Sequence, residues 1–187
     1  IASLGRPEFD LALGEATRRV CAGEIHQLVK RGDDGLTVEE YIDIVSGKTG
    51  ALLVACAQLG GSLGTTNTAV LQGLGDFANH LGIAFQIRDD ILDADSSSEK
   101  IGKSAGRDAA LGKLTLPGIL ARDISGVDLP LGDQERQQFI LQHDGFLKAH
   151  EFACDHVAKA TQSLDVLEDH PARDRLIQFA NQSVLRK

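Results

Sequence analysis

Apolar residues recur at every third or fourth position along most of this chain, which is the spacing that gathers them on one face of an α-helix. The pattern predicts a first helix from Pro7 to about Val29, because proline is tolerated in the first turn of a helix. A turn is predicted over residues 31–35. Thr37 and Glu40 have the spacing of a capping box, which predicts that the second helix begins there.

The second predicted helix carries two polar residues, Lys48 and Thr49, inside an otherwise apolar sequence. An apolar run follows them, and we expect the helix to be broken by the glycines at Gly60, Gly61 and Gly64. This second helix therefore places a lysine among apolar neighbours.

The longest predicted helix begins at residue 66 or 67 and ends at Asp93, so it is roughly 40 Å long at the rise of an α-helix. Residues 94–112 are polar and contain glycines, which predicts a loop. A short apolar helix is predicted over residues 113–123. Two or three amphipathic helices are expected over residues 133–187, with a break before the proline at position 171.

The size, composition and charge of the chain limit the fold classes and the kinds of partner that it can have. Its 187 residues, 42% of them apolar, suffice for one domain with a sizeable core. No useful alternation of apolar and polar residues appears, so we expect an all-α fold in a single domain over residues 1–187. The net charge of −8 argues against nucleic acid as a partner. The most apolar segment, 51–57, is much shorter than the ~18 residues of a membrane span.

The cysteines and the first residue add two expectations. Cys21, Cys56 and Cys154 are far apart in the sequence, and no CxxC motif occurs. We expect them to be reduced and mostly buried, which is typical of a reducing compartment such as the cytoplasm. The chain begins with Ile1 and contains no methionine, so we expect it to be a piece of a longer protein.

Three carboxylates within five residues, Asp89, Asp90 and Asp93, end the longest predicted helix. Together with Gln86 they fall at helical spacings of three and four, so negative charge gathers on one face. A cation between the carboxylates stabilises such a cluster, and oxygen ligands on a rigid helix suit Mg²⁺ that also binds substrate phosphates. The alternative is a solvated acidic helix end, and this run alone leaves both interpretations open.

A diphosphate needs cations as well as a metal, and three lysines have suitable surroundings. Lys48 lies in an apolar helix, where an unpaired ammonium is costly to bury. Lys103 and Lys113 each follow a glycine, which lets the backbone approach a ligand closely. Lysine binds phosphate as a point charge, and threonine or glutamine adds a neutral hydrogen bond. These lysines, occurring together with the acidic run, favour a diphosphate site.

Several separate motifs of the chain are informative together. They are GEIHQ at 23–27, Tyr41 ahead of Lys48-Thr49, LGIAFQIRDDILD at 81–93, Gly102-Lys103, GRD at 106–108 and GKLTLP at 112–117. In these motifs, in their order and in their spacing, the chain resembles the trans-isoprenyl diphosphate synthase (polyprenyl synthase) family. The resemblance covers roughly residues 21–120, and the remainder fits the family's C-terminal helices without distinctive motifs.

The resemblance implies an all-α bundle of the isoprenoid synthase type around a deep cavity, usually dimeric. It implies a Mg²⁺-dependent prenyltransferase that condenses isopentenyl diphosphate with an allylic diphosphate, with an apolar product that is handed to membranes. Asp89, Asp90 and Asp93 resemble the family's second aspartate-rich motif, and Asp89 is the expected direct metal ligand.

The resemblance also implies which residues bind substrate. The implied ligands of the allylic diphosphate are Lys48, Thr49, Gln86, Lys103 and Lys113. Catalysis is expected to depend on Asp89, Lys48 and Lys103, because the metal and the lysines stabilise charge that develops on the leaving group. An apolar cavity would exclude the water that quenches an allylic cation.

One departure from the family's pattern is large. The first aspartate-rich motif, and the N-terminal residues that bind isopentenyl diphosphate, have no counterpart in this chain. We therefore expect a bundle that lacks its N-terminal helices and the part of the active site on them. Such a chain should be nearly inactive alone.

Two other functions remain open. The chain could be a non-catalytic or regulatory small subunit of a heteromeric synthase, which would form a heterodimer instead of a homodimer. A terpene cyclase also uses DDxxD with Mg²⁺, but the acidic run directly after Phe85-Gln86 and the downstream Gly-Lys pairs argue against it.

Overall fold

The structure, a computed structural model, describes residues 5–94 and 112–185, with only the backbone of Leu185. Lys103 and the GRD motif at 106–108 therefore lie outside the described residues. Every regular element within the described ranges is helical, which confirms the predicted all-α fold. In chain order the elements are α1 (Pro7–Val29), α2 (Val38–Val45), a π-helical turn (Ser46–Gly50), α3 (Ala51–Ser62), α4 (Thr68–Ala94), α5 (Leu116–Ser125), α6 (Asp133–Gln142), α7 (Gly145–Ser163), a 3-10 turn (Leu164–Val166) and α8 (Pro171–Leu185).

Local sequence signals determine the ends of the first two helices. α1 begins at Pro7 and ends at Val29, as predicted. The backbone N–H of Glu40 donates to Thr37 Oγ1 at 3.2 Å, and the Thr37 N–H donates to Glu40 Oε2 at 3.0 Å. The capping box predicted for α2 is therefore present, and it satisfies N–H groups that have no partner in the first turn of a helix.

A π turn, Ser46–Gly50, joins α2 to α3 and carries Lys48 and Thr49. Glycines on two neighbouring helices make room for its backbone. A Cβ on Gly23 of α1 would lie 2.7 Å from the backbone nitrogen of Lys48. A Cβ on Gly82 of α4 would lie 3.1 Å from the Cα of Gly50, the last residue of the turn. The close approach of α1 and α4 therefore determines where this turn lies. Single π turns inside helices are frequent at functional sites.

The glycines near the end of α3 do not break the helix where the sequence predicted. α3 continues to Ser62 and includes Gly60 and Gly61. A Cβ on Gly61 would lie 2.6 Å from Leu74 Cδ1, so glycine at this position lets α3 pack closely on α4. The prediction that Gly60 and Gly61 break the helix was wrong, because a packing glycine and a helix-ending glycine look alike in sequence, whereas the helix does end just before Gly64.

α4 is the central helix of the bundle, since it packs against α3 and α7 and also contacts α5 and α8. Its bounds, Thr68–Ala94, agree with the prediction to within two residues at either end. α5 begins at Leu116, later than the predicted residue 113, because Thr115 has an extended backbone and Pro117 occupies the first turn. From residue 133 to residue 185 the chain forms three α-helices, with the predicted break before Pro171.

The three cysteines, Cys21, Cys56 and Cys154, are exposed, so the prediction that they are mostly buried is wrong. All three lie on helix faces that the described residues leave open. α1, for example, is buried only along a narrow stripe, and Cys21 lies off that stripe. Helical spacing alone did not show which faces another helix would cover.

The π turn also lengthens the apolar helix. Because it joins α2 to α3, Val38–Ser62 is long and apolar enough, by length and composition alone, to cross a membrane. This helix is much longer than the apolar run 51–57 that the sequence pattern indicated, so the expectation based on that run was wrong in length. One such helix is weak evidence for a membrane span, and this one packs against α1 and α4.

Candidate functional site

A buried carboxylate, Asp90, lies at the centre of the candidate site. Its side chain is 1% exposed and accepts hydrogen bonds at both oxygens. The Tyr41 hydroxyl donates to Oδ2 at 2.8 Å. The Lys113 ammonium and the Gln86 side-chain amide each donate to Oδ1 at 2.9 Å. These residues come from α2, α4 and the segment before α5, so the fold brings together groups that are distant in sequence.

The electrostatics of Asp90 combine two opposing effects. Burial raises the pKa of its carboxyl above the ordinary value, and the Lys113 charge and the hydrogen bonds from Lys113, Gln86 and Tyr41 offset that rise only in part. All three partners are donors, and an ionised carboxylate is an acceptor only. The arrangement is therefore one that holds a buried carboxylate and a lysine together as a hydrogen-bonded ion pair.

The network extends to the π turn. The Thr49 hydroxyl donates to Gln86 Oε1 at 3.2 Å, and Gln86 in turn donates to Asp90. Four residues predicted from the sequence, Thr49, Gln86, Asp90 and Lys113, are therefore connected to one another. Tyr41 was not predicted as a site residue. Its signal in the sequence was weak: a single tyrosine on the buried face of a helix needs a hydrogen-bond partner.

Lys48 points in another direction from Thr49, although the two are adjacent. Its ammonium forms an ion pair with Glu24 at 2.8 Å and donates to Gln27 Oε1 at 2.6 Å. Both partners are on α1, in the GEIHQ motif. The ammonium that the sequence placed in an apolar helix thus has polar partners, as the cost of burying a bare charge requires.

The three carboxylates of the acidic run divide between the interior and the surface. Asp90 is buried, Asp89 is exposed and Asp93 is half-buried. Neighbouring helix positions point about 100° apart, which follows from 3.6 residues per turn. Asp89 accepts no hydrogen bond from any residue that the structure describes. Asp89, Asp90 and Asp93 stay predicted metal ligands, but the geometry separates Asp90 from the exposed side of the helix.

The exposed Asp89 and the half-buried Asp93 fit part of a magnesium site. Asp89 and Asp93 lie one helical turn apart and offer only oxygen ligands, which Mg²⁺ prefers. Within residues 5–94 and 112–185, no group of three His, Cys, Asp or Glu side chains is positioned to hold a metal. Because Mg²⁺ usually takes one or two carboxylates and completes its shell with waters and substrate phosphates, these two residues suit it.

An apolar surface flanks the polar network. Phe85, directly before Gln86, is 47% exposed, and Leu52 and Leu53 are 45% and 36% exposed. Leu53 Cδ1 would lie 3.1 Å from a Cβ on Gly82, so α3 and α4 meet at this surface. Large exposed apolar side chains beside a charged cluster suit a ligand with a charged head and an apolar tail.

Comparison with known proteins gives a consistent result. The family model described as polyprenyl synthetase matches residues 1–135. A prenyl transferase of Synechocystis sp. is 33% identical over 190 residues, covering 97% of this chain and 59% of that protein. The octaprenyl diphosphate synthase of Escherichia coli is 31% identical over 206 residues, covering 100% of this chain and 62% of that protein.

The fold agrees with solved structures of similar proteins. The crystal structure of a decaprenyl diphosphate synthase from Rhodobacter capsulatus superposes with a TM-score of 0.87 at 31% identity, covering 100% of this chain and 62% of that one. A geranylgeranyl pyrophosphate synthetase from Pyrococcus horikoshii has a TM-score of 0.86 at 30% identity, covering 97% of this chain and 59% of that one. The chain thus spans between 59% and 62% of the length of these proteins.

Proposed function

The chain belongs to the polyprenyl synthetase family, and from this premise we propose that it forms the part of a prenyltransferase that binds an allylic diphosphate. The observation that carries the proposal is the network around Asp90. It connects a lysine, a glutamine and a threonine beside the exposed Asp89 and next to an apolar surface. Charged groups on one side and apolar groups on the other match the two ends of an allylic diphosphate.

The proposed reaction joins two isoprenoid diphosphates. The C–O bond of the allylic diphosphate breaks, and diphosphate leaves with the electron pair, so an allylic cation is left. The alkene of isopentenyl diphosphate attacks this cation to form a C–C bond. A proton is then lost, and the departed diphosphate is a base that the reaction itself supplies to take it. The relatives named octaprenyl and decaprenyl diphosphate synthase support this reaction class.

Each residue of the network has a proposed task. Lys113, held by Asp90, and Thr49 with Gln86 bind the diphosphate, and Lys48 and Lys103 contribute further positive charge. We propose that Asp90 positions Lys113 and Gln86, because both of its oxygens accept hydrogen bonds in the interior. Phe85, Leu52 and Leu53 exclude water from the cation.

Magnesium has a defined place in this proposal. Asp89 and Asp93 would hold it, because they lie one helical turn apart on α4 and offer carboxylate oxygens, with Asp89 exposed and Asp93 half-buried. When bound, Mg²⁺ would neutralise negative charge on the leaving diphosphate. Lys113 adds a fixed positive charge to the same task, and its ion pair with Asp90 holds the ammonium in place before substrate arrives.

We propose that turnover needs more than this chain. It holds a single DDxxD sequence, at 89–93, and spans about three-fifths of the length of its relatives. The residues that bind isopentenyl diphosphate would then lie in the remaining part of a longer synthase, or on a larger partner subunit. Incubated alone with Mg²⁺ and both substrates, the chain should form no labelled product.

The test of the proposed function is Asp89→Ala in the protein that carries this chain at the length of its relatives. We expect Mg²⁺-dependent incorporation of radiolabelled isopentenyl diphosphate to fall by about 100-fold or more, as when an electrostatic stabiliser of the transition state is removed. Asp128→Ala is the matched control, since Asp128 is an exposed carboxylate in the α5–α6 connection. Near-normal turnover of the Asp89 variant would contradict the metal assignment.

A further inference from the structure

The turn between α1 and α2, residues 30–37, is held from outside by two arginines. Arg122 of α5 donates from Nη2 to the Leu36 carbonyl at 3.0 Å and from Nη1 to the Asp34 carbonyl. Arg136 of α6 donates from Nη2 to Asp34 Oδ1 at 3.2 Å. The fork of Arg122 thus binds two carbonyls of one turn at the same time, which the single ammonium of a lysine does less well.

The orientation of the Arg122 guanidinium is itself fixed. Its Nε donates to Asp123 Oδ1 at 2.9 Å, and its Nη2 donates to the same oxygen at 2.6 Å. The Arg122 side chain is 15% exposed, so it is largely shielded from water. A charge-assisted contact on one side and two backbone carbonyls on the other leave this side chain little freedom.

The same turn makes a backbone hydrogen bond to the residue that precedes Lys113. The Gly32 N–H donates to the Gly112 carbonyl at 2.9 Å. Both glycines are in the left-handed region, with φ of +73° and +67°, where other residues are strained. A Cβ on Gly112 would lie 3.7 Å from the Gly32 nitrogen, so the two backbones meet closely. Lys113 is the next residue along the chain, and its ammonium reaches Asp90.

The turn and the candidate site also share a cavity. This space of about 10 Å³ is bounded by Lys30 and Leu36 of the turn and by Tyr41 and Lys113 of the site. Leu36 is buried, so its backbone carbonyl and its side chain are both held. The contacts therefore run without interruption from Arg122 through the turn to the backbone of Gly112-Lys113.

We propose that Arg122 is a positioning residue for Lys113. By fixing the carbonyls of Asp34 and Leu36, it holds the α1–α2 turn so that Gly32 anchors Gly112, and Lys113 is thereby aimed at Asp90. The role of Lys113 as a diphosphate ligand rests on the proposed function, but the coupling from Arg122 to Lys113 does not. Without Arg122 the outer side of the turn loses both carbonyl contacts and keeps the contact from Arg136 to Asp34, and the Lys113 ammonium samples positions away from Asp90.

The experiment uses Arg122→Gln, with Arg122→Lys as a milder variant if the first does not fold. Arg173→Gln is the matched control. Arg173 lies in the first turn of α8, its side chain is 19% exposed, and it forms ion pairs with Asp165 and Asp169, which precede that helix. The readout is the ¹⁵N–¹H signal of the Lys113 ammonium, assigned with Lys113→Arg. The second readout is calorimetric binding of inorganic diphosphate in the presence of Mg²⁺.

We expect the Lys113 signal to shift or broaden in the Arg122 variant and to stay unchanged in the Arg173 variant. Diphosphate binding should weaken about tenfold in the Arg122 variant alone, as for one misplaced charge-assisted contact. An unchanged Lys113 signal in the Arg122 variant would overturn the inference, whatever the binding result. The wild-type protein could also fail to bind diphosphate while the Lys113 signal still changes in the Arg122 variant. That pair of results would support the positioning role of Arg122 and contradict the proposed function.

Discussion

Tyr41→Phe tests whether the network around Asp90 stabilises the fold. The substitution keeps the buried ring and removes only the hydroxyl that donates to Asp90 Oδ2 at 2.8 Å. A hydrogen bond to a charged group contributes about 1.5–3 kcal/mol, and a buried acceptor that loses its donor is costly. We therefore expect the free energy of unfolding to fall by about 1.5–3 kcal/mol. For a domain of this size, that lowers Tm by roughly 3–12 °C.

The assay is urea unfolding of wild type, Tyr41→Phe, Asp90→Asn and the double variant, followed by circular dichroism. In the Asp90→Asn background the acceptor is neutral, so Tyr41→Phe should cost only about 0.5–1.5 kcal/mol. The difference between the two backgrounds measures the coupling between hydroxyl and carboxylate. If Tyr41→Phe costs the same in both, or less than about 0.5 kcal/mol in wild type, the carboxylate does not depend on this donor and the reasoning fails.

Two further predictions concern the packing and the pH dependence of the helices. A Cβ at Gly23 would lie 2.7 Å from the Lys48 backbone nitrogen, so Gly23→Ala should lower the free energy of unfolding, measured in urea, by about 1–3 kcal/mol. Gly14 on the same helix has nothing within 4 Å of such a Cβ, so Gly14→Ala should be neutral or stabilising. Equal effects of the two substitutions would contradict the close approach of α1 to the π turn. Burial, with the neighbouring His80 and Lys159 charges, lowers the pKa of His156 from 6.5 to about 4. Because the unfolded state then binds more protons, the free energy of unfolding should fall as pH falls from about 6.5 to about 4, by about 3 kcal/mol at most. His156→Gln should flatten that part of the plot of unfolding free energy against pH. An unchanged slope in the variant would contradict the assignment to His156.

Local signals in the sequence predicted the parts of the fold that depend on neighbours along the chain. Pro7 marked the start of α1, and the pair Thr37 and Glu40 marked the start of α2, because capping involves residues within one turn. The spacing of apolar residues predicted the extent of α4 for the same reason.

The π turn was not predictable in this way. It exists beside two glycines on other helices, Gly23 and Gly82, and their approach depends on how α1 and α4 pack. The helical pattern around Lys48 and Thr49 gives no sign of the extra residue in the turn. Consequently the sequence could place Lys48 and Thr49 on one helix but not show that they face different partners.

The pairings within the candidate site were only partly predictable. Residue chemistry identified Gln86, Asp90 and Lys113 as members of a polar site, and the structure connects them. Helical spacing alone predicted that the three aspartates form one cluster, because positions three or four residues apart fall on one face of a helix. The direction of each carboxylate depends on tertiary packing, and Asp90 points inward to Lys113, 23 residues further along the chain.

We propose above all that Asp89, Asp93 and the network around Lys113 form one wall of an allylic diphosphate site. The most direct test is a crystal structure of the protein that carries this chain, with Mg²⁺ and a slowly ionising allylic thiodiphosphate. We predict a metal within about 2.0–2.1 Å of an Asp89 oxygen, diphosphate oxygens on Lys113, and the prenyl tail along Phe85 and Leu53. A diphosphate bound elsewhere, with Asp89 far from any metal, would contradict the claim.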